Sequence, residues 1–198
     1  MIEDKDFAAV TAQLGRAPRG VMGVAHRCPC GLPDVVQTAP RLPDGTPFPT
    51  LYYLTCPRAA SAIGTLEAEG VMREMTERLA ADPALAREYA MAHQDYLDRR
   101  DEAAVAAGVE PLRKGMQTAG GMPDRVKCLH ALVAHELAVP GANSLGRKAL
   151  DLLPDWWQSR PCSKEVDVSS DANHSEESDV EVGKVSAENG LPNTEESS

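Results

Sequence analysis

The chain has 198 residues, of which 42% are hydrophobic, and a formal net charge of −10. That length predicts one ordinary domain with appendages, and the apolar content is enough for a real core. No run approaches the roughly 18 consecutive apolar residues of a membrane helix, the start Met1-Ile2-Glu3-Asp4-Lys5-Asp6 is too acidic for a signal peptide, and no strong basic patch recommends nucleic acid as a partner. The expectation is a cytoplasmic protein without membrane insertion, whose cysteines are thiols or ligands rather than stable bridges.

The charge is unevenly spread. From Ser163 to Ser198 there are ten acidic residues against Lys164 and Lys184, so this stretch carries −8 of the total. It also holds eight serines, no aromatic residue and no periodic apolar face, too little to offset the entropy of ordering. The expected organisation is an N-terminal helical segment over 1–18, a globular α+β domain over 19–157 and a disordered acidic tail over 158–198.

Phe7, Val10 and Leu14 lie at helical spacing before Gly15 and predict a short amphipathic helix. Gly20 to Ala25, Asp34 to Thr38 and Thr50 to Leu54 are short runs rich in β-branched and aromatic residues, separated by proline and glycine. They predict a small three-stranded antiparallel sheet. Four prolines and Asp44-Gly45 make the segment Pro40 to Pro49 a stiff loop. Past Cys56 the pattern is helical: one helix from Pro57 to about Gly70, a second through Val71, Met72, Met75 and Leu79, and a long third from Asp82-Pro83 to Gly108. A connector with Gly115, Gly120 and Gly121 leads to a helix from about Pro123 to Ala138, and a short helix over Leu145 to Leu152 precedes Trp156-Trp157. The fold class is α+β, with about five to six helices packed on the sheet.

Cys28, Cys30, Cys56 and Cys128 are the main chemical clue. Pro29 and Gly31 shape a tight turn around the first pair, and Pro57 at a first helical position makes Cys56 an N-cap, where backbone N–H groups and the helix dipole favour a thiolate. Cys128 would arrive from a helix across the sheet, with His130 as an alternative fourth ligand, and His26 could supplement the site. Such thiolates can hold zinc or, as a second choice, an iron–sulfur cluster. Zinc is simpler, needing only four ligands and no oxidation chemistry. The spacings match no familiar zinc or ferredoxin signature, so buried small residues and redox thiols are competing readings. Cys162 and His174 fall in the tail region and are assigned nothing.

A second constellation is Gly120-Gly121-Met122-Pro123-Asp124-Arg125. Glycines before a helix can leave N–H groups for an anion, with Arg125 and Lys127 adding charge. On the expected helix, Asp124, Cys128 and His135 share a polar-tinged stripe, which is costly to bury without partners. The corresponding alternative is an enzyme acting on a phosphorylated or otherwise anionic small molecule. Gly120, Gly121, Arg125 and Lys127 would hold it, and Asp124, His130 or His135 would move protons. The competing structural reading is that the glycines simply turn the chain, that Asp124 complements a helix start, and that His135 is a satisfied edge histidine.

Three blocks together resemble the actinobacterial domain-of-unknown-function family numbered 501. They are His26-Arg27-Cys28-Pro29-Cys30-Gly31, the run from Leu42 to Pro57, and the run from Gly120 to Leu132, within a similarity covering roughly Arg19 to Leu153. The resemblance implies no catalytic residue. Members are typically encoded near a septum-formation initiator protein, enolase and an exopolyphosphatase, which implies a role near cell division or phosphate metabolism, and a metal-free module binding a cell-division protein is a third reading. The leading expectation is a binding or regulatory module organised by a metal at Cys28, Cys30, Cys56 and Cys128.

Overall fold

The proline- and glycine-punctuated part of the chain forms strands, and the alanine- and leucine-rich remainder forms helices. A computed structural model describes residues 2–113, 120–158 and 162–163. The residues read as an acidic tail lie outside the described ones, apart from Gln158, Cys162 and Ser163.

Helix α1 (Asp4–Leu14) stops at Gly15, whose φ of 67° is left-handed, a conformation glycine adopts without steric cost. Its inner side is Asp6, Ala9 and Val10, while Phe7 is exposed. Phe7 loses the inward position because the Asp6 carboxylate turns in to take a two-pronged contact from Arg27 at 2.9 and 2.6 Å. Gln13 Nε2 also donates to the Pro33 carbonyl at 2.7 Å.

Strands β1 (Val21–Arg27), β2 (Pro33–Thr38) and β3 (Tyr52–Leu54) form one antiparallel sheet in the order β1-β2-β3. The central strand is buried at every position but Gln37. Cys28 to Gly31 makes the turn between β1 and β2: Gly31 N–H donates to the Cys28 carbonyl at 2.8 Å, and Cys28 N–H to the Leu32 carbonyl at 3.0 Å.

Six helices occur among the described residues, so the architecture is the expected α+β. After α1 come α2 (Pro57–Ala68), α3 (Val71–Ala81), α4 (Pro83–Ala106), α5 (Leu129–Ala138) and α6 (Ser144–Asp151). Asp82 caps α4 by accepting from Ala84 and Leu85 N–H. Tyr96 on α4 reaches the sheet, its hydroxyl accepting from Leu51 N–H at 2.6 Å. The core joins Val35, Leu51 and Tyr52 to Ile63, Tyr89, Tyr96, Leu129, Leu132 and Leu145.

One helix differs from expectation. Residues 123–128 are not helical, and α5 begins at Leu129 with Cys128 as an extended N-cap (φ −154°, ψ 111°). The backbone donors of this stretch are committed elsewhere. Lys127 N–H goes to the Gly120 carbonyl at 2.9 Å, Val126 N–H to Thr76 Oγ1 at 3.1 Å, and Leu129 N–H to Glu67 Oε1 at 2.7 Å.

Helices α5 and α6 cross at Gly146, where an added Cβ would lie 2.3 Å from the Leu132 carbonyl oxygen. In an exposed helix Gly→Ala stabilises by about 1 kcal/mol. Here overpacking reverses the sign: Gly146→Ala should lower unfolding free energy by roughly 1–3 kcal/mol, read from urea melts of the two proteins.

Candidate metal centre

The turn from β1 to β2 delivers Cys28 and Cys30 side by side, because Gly31 at φ 88° lets the chain reverse tightly. Cys56 caps α2, its Sγ accepting from Ala59 N–H at 3.5 Å, with Pro57 at the start of the helix. Cys162 arrives from beyond α6 and lies 3.4 Å, sulfur to sulfur, from both Cys28 and Cys30. The sulfurs of Cys28, Cys30 and Cys162 all lie within 4.8 Å of one another. Cys56 lies beside them: it is fully buried and packs in the same cluster as Cys28 and Cys162, but its sulfur is not one of the three that lie within 4.8 Å of one another. All four are free thiols. Sulfurs at tetrahedral angles on zinc, each at about 2.3 Å, would stand about 3.8 Å apart, so the Cys28, Cys30 and Cys162 sulfurs could hold a metal ion with small adjustments.

The cluster is roofed by aromatic side chains. Trp156 and Trp157 meet edge to face with centroids 4.8 Å apart and pack against the cysteines, as do Leu32 and Leu54. Arg58 Nη1 holds the roof by donating to the Trp156 carbonyl at 3.0 Å. Burial pushes the Cys28 thiol up to about 11. Cys162 is driven up much further, by burial and then by its hydrogen bonds with Cys56, Cys28 and Cys30. For Cys30 burial also acts upward, but hydrogen bonding with Leu32 N–H and Cys162 outweighs it, and its thiol is held below the usual value. Crowded thiols that resist joint ionisation need a cation to become thiolates together. His26, beside this turn, is engaged elsewhere, its Nδ1 2.7 Å from the buried Asp34 carboxylate. A cleft of about 370 Å³ opens next to the cluster, lined by His26, Pro29, Arg147, Asp151, Trp156 and Trp157 among others.

Cys128 is not brought to the other cysteines. Leaving the helix for an N-cap position turns it instead toward Glu67 and His130, and ligand atoms of these three residues lie within 4.8 Å of one another. His130 Nδ1 is 3.2 Å from Glu67 Oε1, and its Nε2 is 3.1 Å from the Ala60 carbonyl. On a continuous helix Cys128 and His130 would diverge by about 200°. The extended backbone at Cys128 removes that divergence. The Cys128 side chain raises His130 to about 9, with Glu67 adding to the effect and burial opposing it.

A family model described as Protein of unknown function (DUF501) matches residues 24–151. The chain belongs to this family. The matched span of the DUF501 chain includes Cys28, Cys30, Cys56, Glu67, Cys128 and His130, while Cys162 lies past its last residue. No curated protein and no solved structure matches the chain.

The glycine loop is built for close packing. A Cβ on Gly120 would lie 2.8 Å from Leu132 Cδ2, and one on Gly121, at φ 86°, would lie 2.7 Å from Lys127 Cβ. Arg125, Lys127 and Asp124 are exposed around it. The loop lies upstream of α5, whose first N–H is already taken by the Glu67 carboxylate. Asp124 and His135 therefore do not share a helix face. His135 is fully buried in α5, its Nε2 3.0 Å from Asp95 Oδ2 and its Nδ1 3.4 Å from Asn143 Nδ2. Because the Asn143 amide can only donate there, Nε2 carries the proton and gives it to Asp95. Tyr52 stacks on the ring and Tyr96 meets it edge-on.

Two residues of these groups were missed by reading the sequence. Cys162 had a usable signal: every cysteine of the sulfur cluster adjoins a proline, in Cys28-Pro29-Cys30, Cys56-Pro57 and Pro161-Cys162, whereas Cys128 sits between Lys127 and Leu129. Glu67 had none, being one of many acidic residues on amphipathic helices.

Burial holds His135 below the ordinary histidine value of 6.5, against the opposing pull of Asp95. The fold therefore favours the neutral ring. The stability this gives is complete above pH 6.5 and drains as pH falls through the lower folded value. His135→Gln keeps a donor for Asp95 but cannot titrate. Its unfolding free energy should fall less between about pH 7 and pH 5 than that of the wild type, measured by urea denaturation across that window.

Proposed function

We propose that this DUF501 protein is a zinc-binding module in which Cys28, Cys30, Cys56 and Cys162 form a four-thiolate centre with a binding or regulatory role. The observation that carries the reading is the convergence of three sulfurs within 4.8 Å, with Cys56 as the fourth in the same buried cluster. Four sulfur ligands close the coordination sphere, which is the pattern of a structural rather than a catalytic zinc site. An iron–sulfur cluster also accepts four cysteines but needs inorganic sulfide and an assembly route. Zinc needs neither. The ion would fasten the β1–β2 turn and the start of α2 to the segment after α6, and so define the aromatic wall of the neighbouring cleft. That cleft, lined by Arg147, Asp151, Trp156 and Trp157 among others, supports a role in binding.

Metal and sulfide analysis of untagged protein, purified with and without oxygen, should find zinc and no sulfide. Cys162→Ser should release the zinc of this centre and lower the melting temperature by roughly 10 °C, since a domain of this size shifts about 2–4 °C per kcal/mol and metal binding contributes directly to folding. A strong chelator should reproduce that drop in the wild type. Full retention of zinc and of the melting temperature by Cys162→Ser would refute the four-cysteine centre.

A further inference from the structure

We propose that Glu67, Cys128 and His130 form a second, separate zinc site with three protein ligands and an open fourth position for water or an exogenous anion. The three side chains come from two elements that meet end to end, Glu67 from the last turn of α2 and the other two from the start of α5. The Ala60 carbonyl fixes the imidazole: a carbonyl can only accept, so Nε2 carries a proton and Nδ1 is left to face Glu67 Oε1 at 3.2 Å. A bound ion would take the place of the proton between Nδ1 and Glu67, so that a nitrogen lone pair, a carboxylate and a sulfur meet at one point. An Nε2–H anchored on a backbone carbonyl, with Nδ1 turned toward the other ligand groups, is also the way protein surroundings orient a metal-bound histidine.

The donor set fits zinc, which takes sulfur, nitrogen and oxygen together. At ordinary bond lengths and tetrahedral angles, neighbouring ligand atoms of such a site stand about 3.3–3.6 Å apart, close to the separation found between His130 and Glu67. The Glu67 carboxylate stays in register because Oε1 also accepts from Leu129 N–H at 2.7 Å. His130 and Glu67 keep 32% and 23% of their side chains exposed, so the group is open to solvent on one side. In the sulfur cluster, by contrast, Cys28, Cys56 and Cys162 are buried. The two groups cannot share an ion, because Cys56 and Glu67 lie at opposite ends of α2, about 16 Å apart at 1.5 Å per residue. This site does not depend on the four-cysteine reading.

The test is zinc stoichiometry of the full chain after equilibration with zinc and removal of free ion. The wild type should hold two equivalents. Glu67→Gln, which still accepts from Leu129 N–H, and His130→Ala should each lose one, with far-UV circular dichroism unchanged. Cys28→Ser with Cys162→Ser should lose the other. If the double cysteine variant keeps the wild-type content while Glu67→Gln loses an equivalent, the second site stands and the sulfur centre fails. If Glu67→Gln and His130→Ala both keep the wild-type content, the second site is overturned, whatever the cysteine variants show.

Discussion

Helix α5 is buried almost all round, and that burial governs the arrangement of the rest. Seven of its residues, Leu129, Ala131, Leu132, Val133, Ala134, His135 and Glu136, are shielded from solvent. A helix in that position needs an internal partner for every polar group it carries. Glu67 answers its first N–H, and Asp95 and Asn143 answer His135. Glu136 in turn receives Gly141 and Asn143 N–H at 2.9 Å each, which sets the turn into α6. Removing any one of these partners would leave a buried group unmatched, at a cost of about 1–3 kcal/mol.

The same requirement places the chemistry at the margins of the core. Helix α2 bears on both candidate sites, with Cys56 capping one end and Glu67 near the other. At its start a sulfur accepts a backbone N–H, and at its end a carboxylate reaches across to the start of α5. Satisfying helix termini and assembling ligand groups are here one structural act. The sulfur cluster is roofed and all but Cys30 of its cysteines are buried, which suits a fixed ion. The Glu67 group is half-open and mixed in donor type.

Most of the fold was legible in the residues, because strands and helices announce themselves through periodicity and through proline and glycine. Pro57 and Asp82-Pro83 marked two helix starts, and Gly15 marked a helix end. The start of α5 was not legible. Residues 123–128 have helical composition, but acceptors at Gly120 and Thr76 draw away the N–H groups of Lys127 and Val126. That displacement also misled the reading of Cys128, whose direction depends on an extended backbone at one position. Cys162 was hidden by its surroundings: charge and serine content made the segment look like tail, although Pro161 matched the other cluster cysteines.

Cys28 and Cys162 stand 134 residues apart in the chain and 3.4 Å apart in space. Linking them through a shared ion would turn the domain into a ring that encloses β2, β3 and α2 to α6, with α1 and β1 outside the closed loop. A tether over a loop of that length withdraws on the order of 5 kcal/mol of chain entropy from the unfolded ensemble. The N-terminal segment lies outside the loop and holds to it only through strand pairing and packing. Opening of the domain would thereby be divided into two tiers: α1 and the edge strand β1 could peel away and return with the loop intact, while the enclosed elements would come apart only with the full cost of the ring.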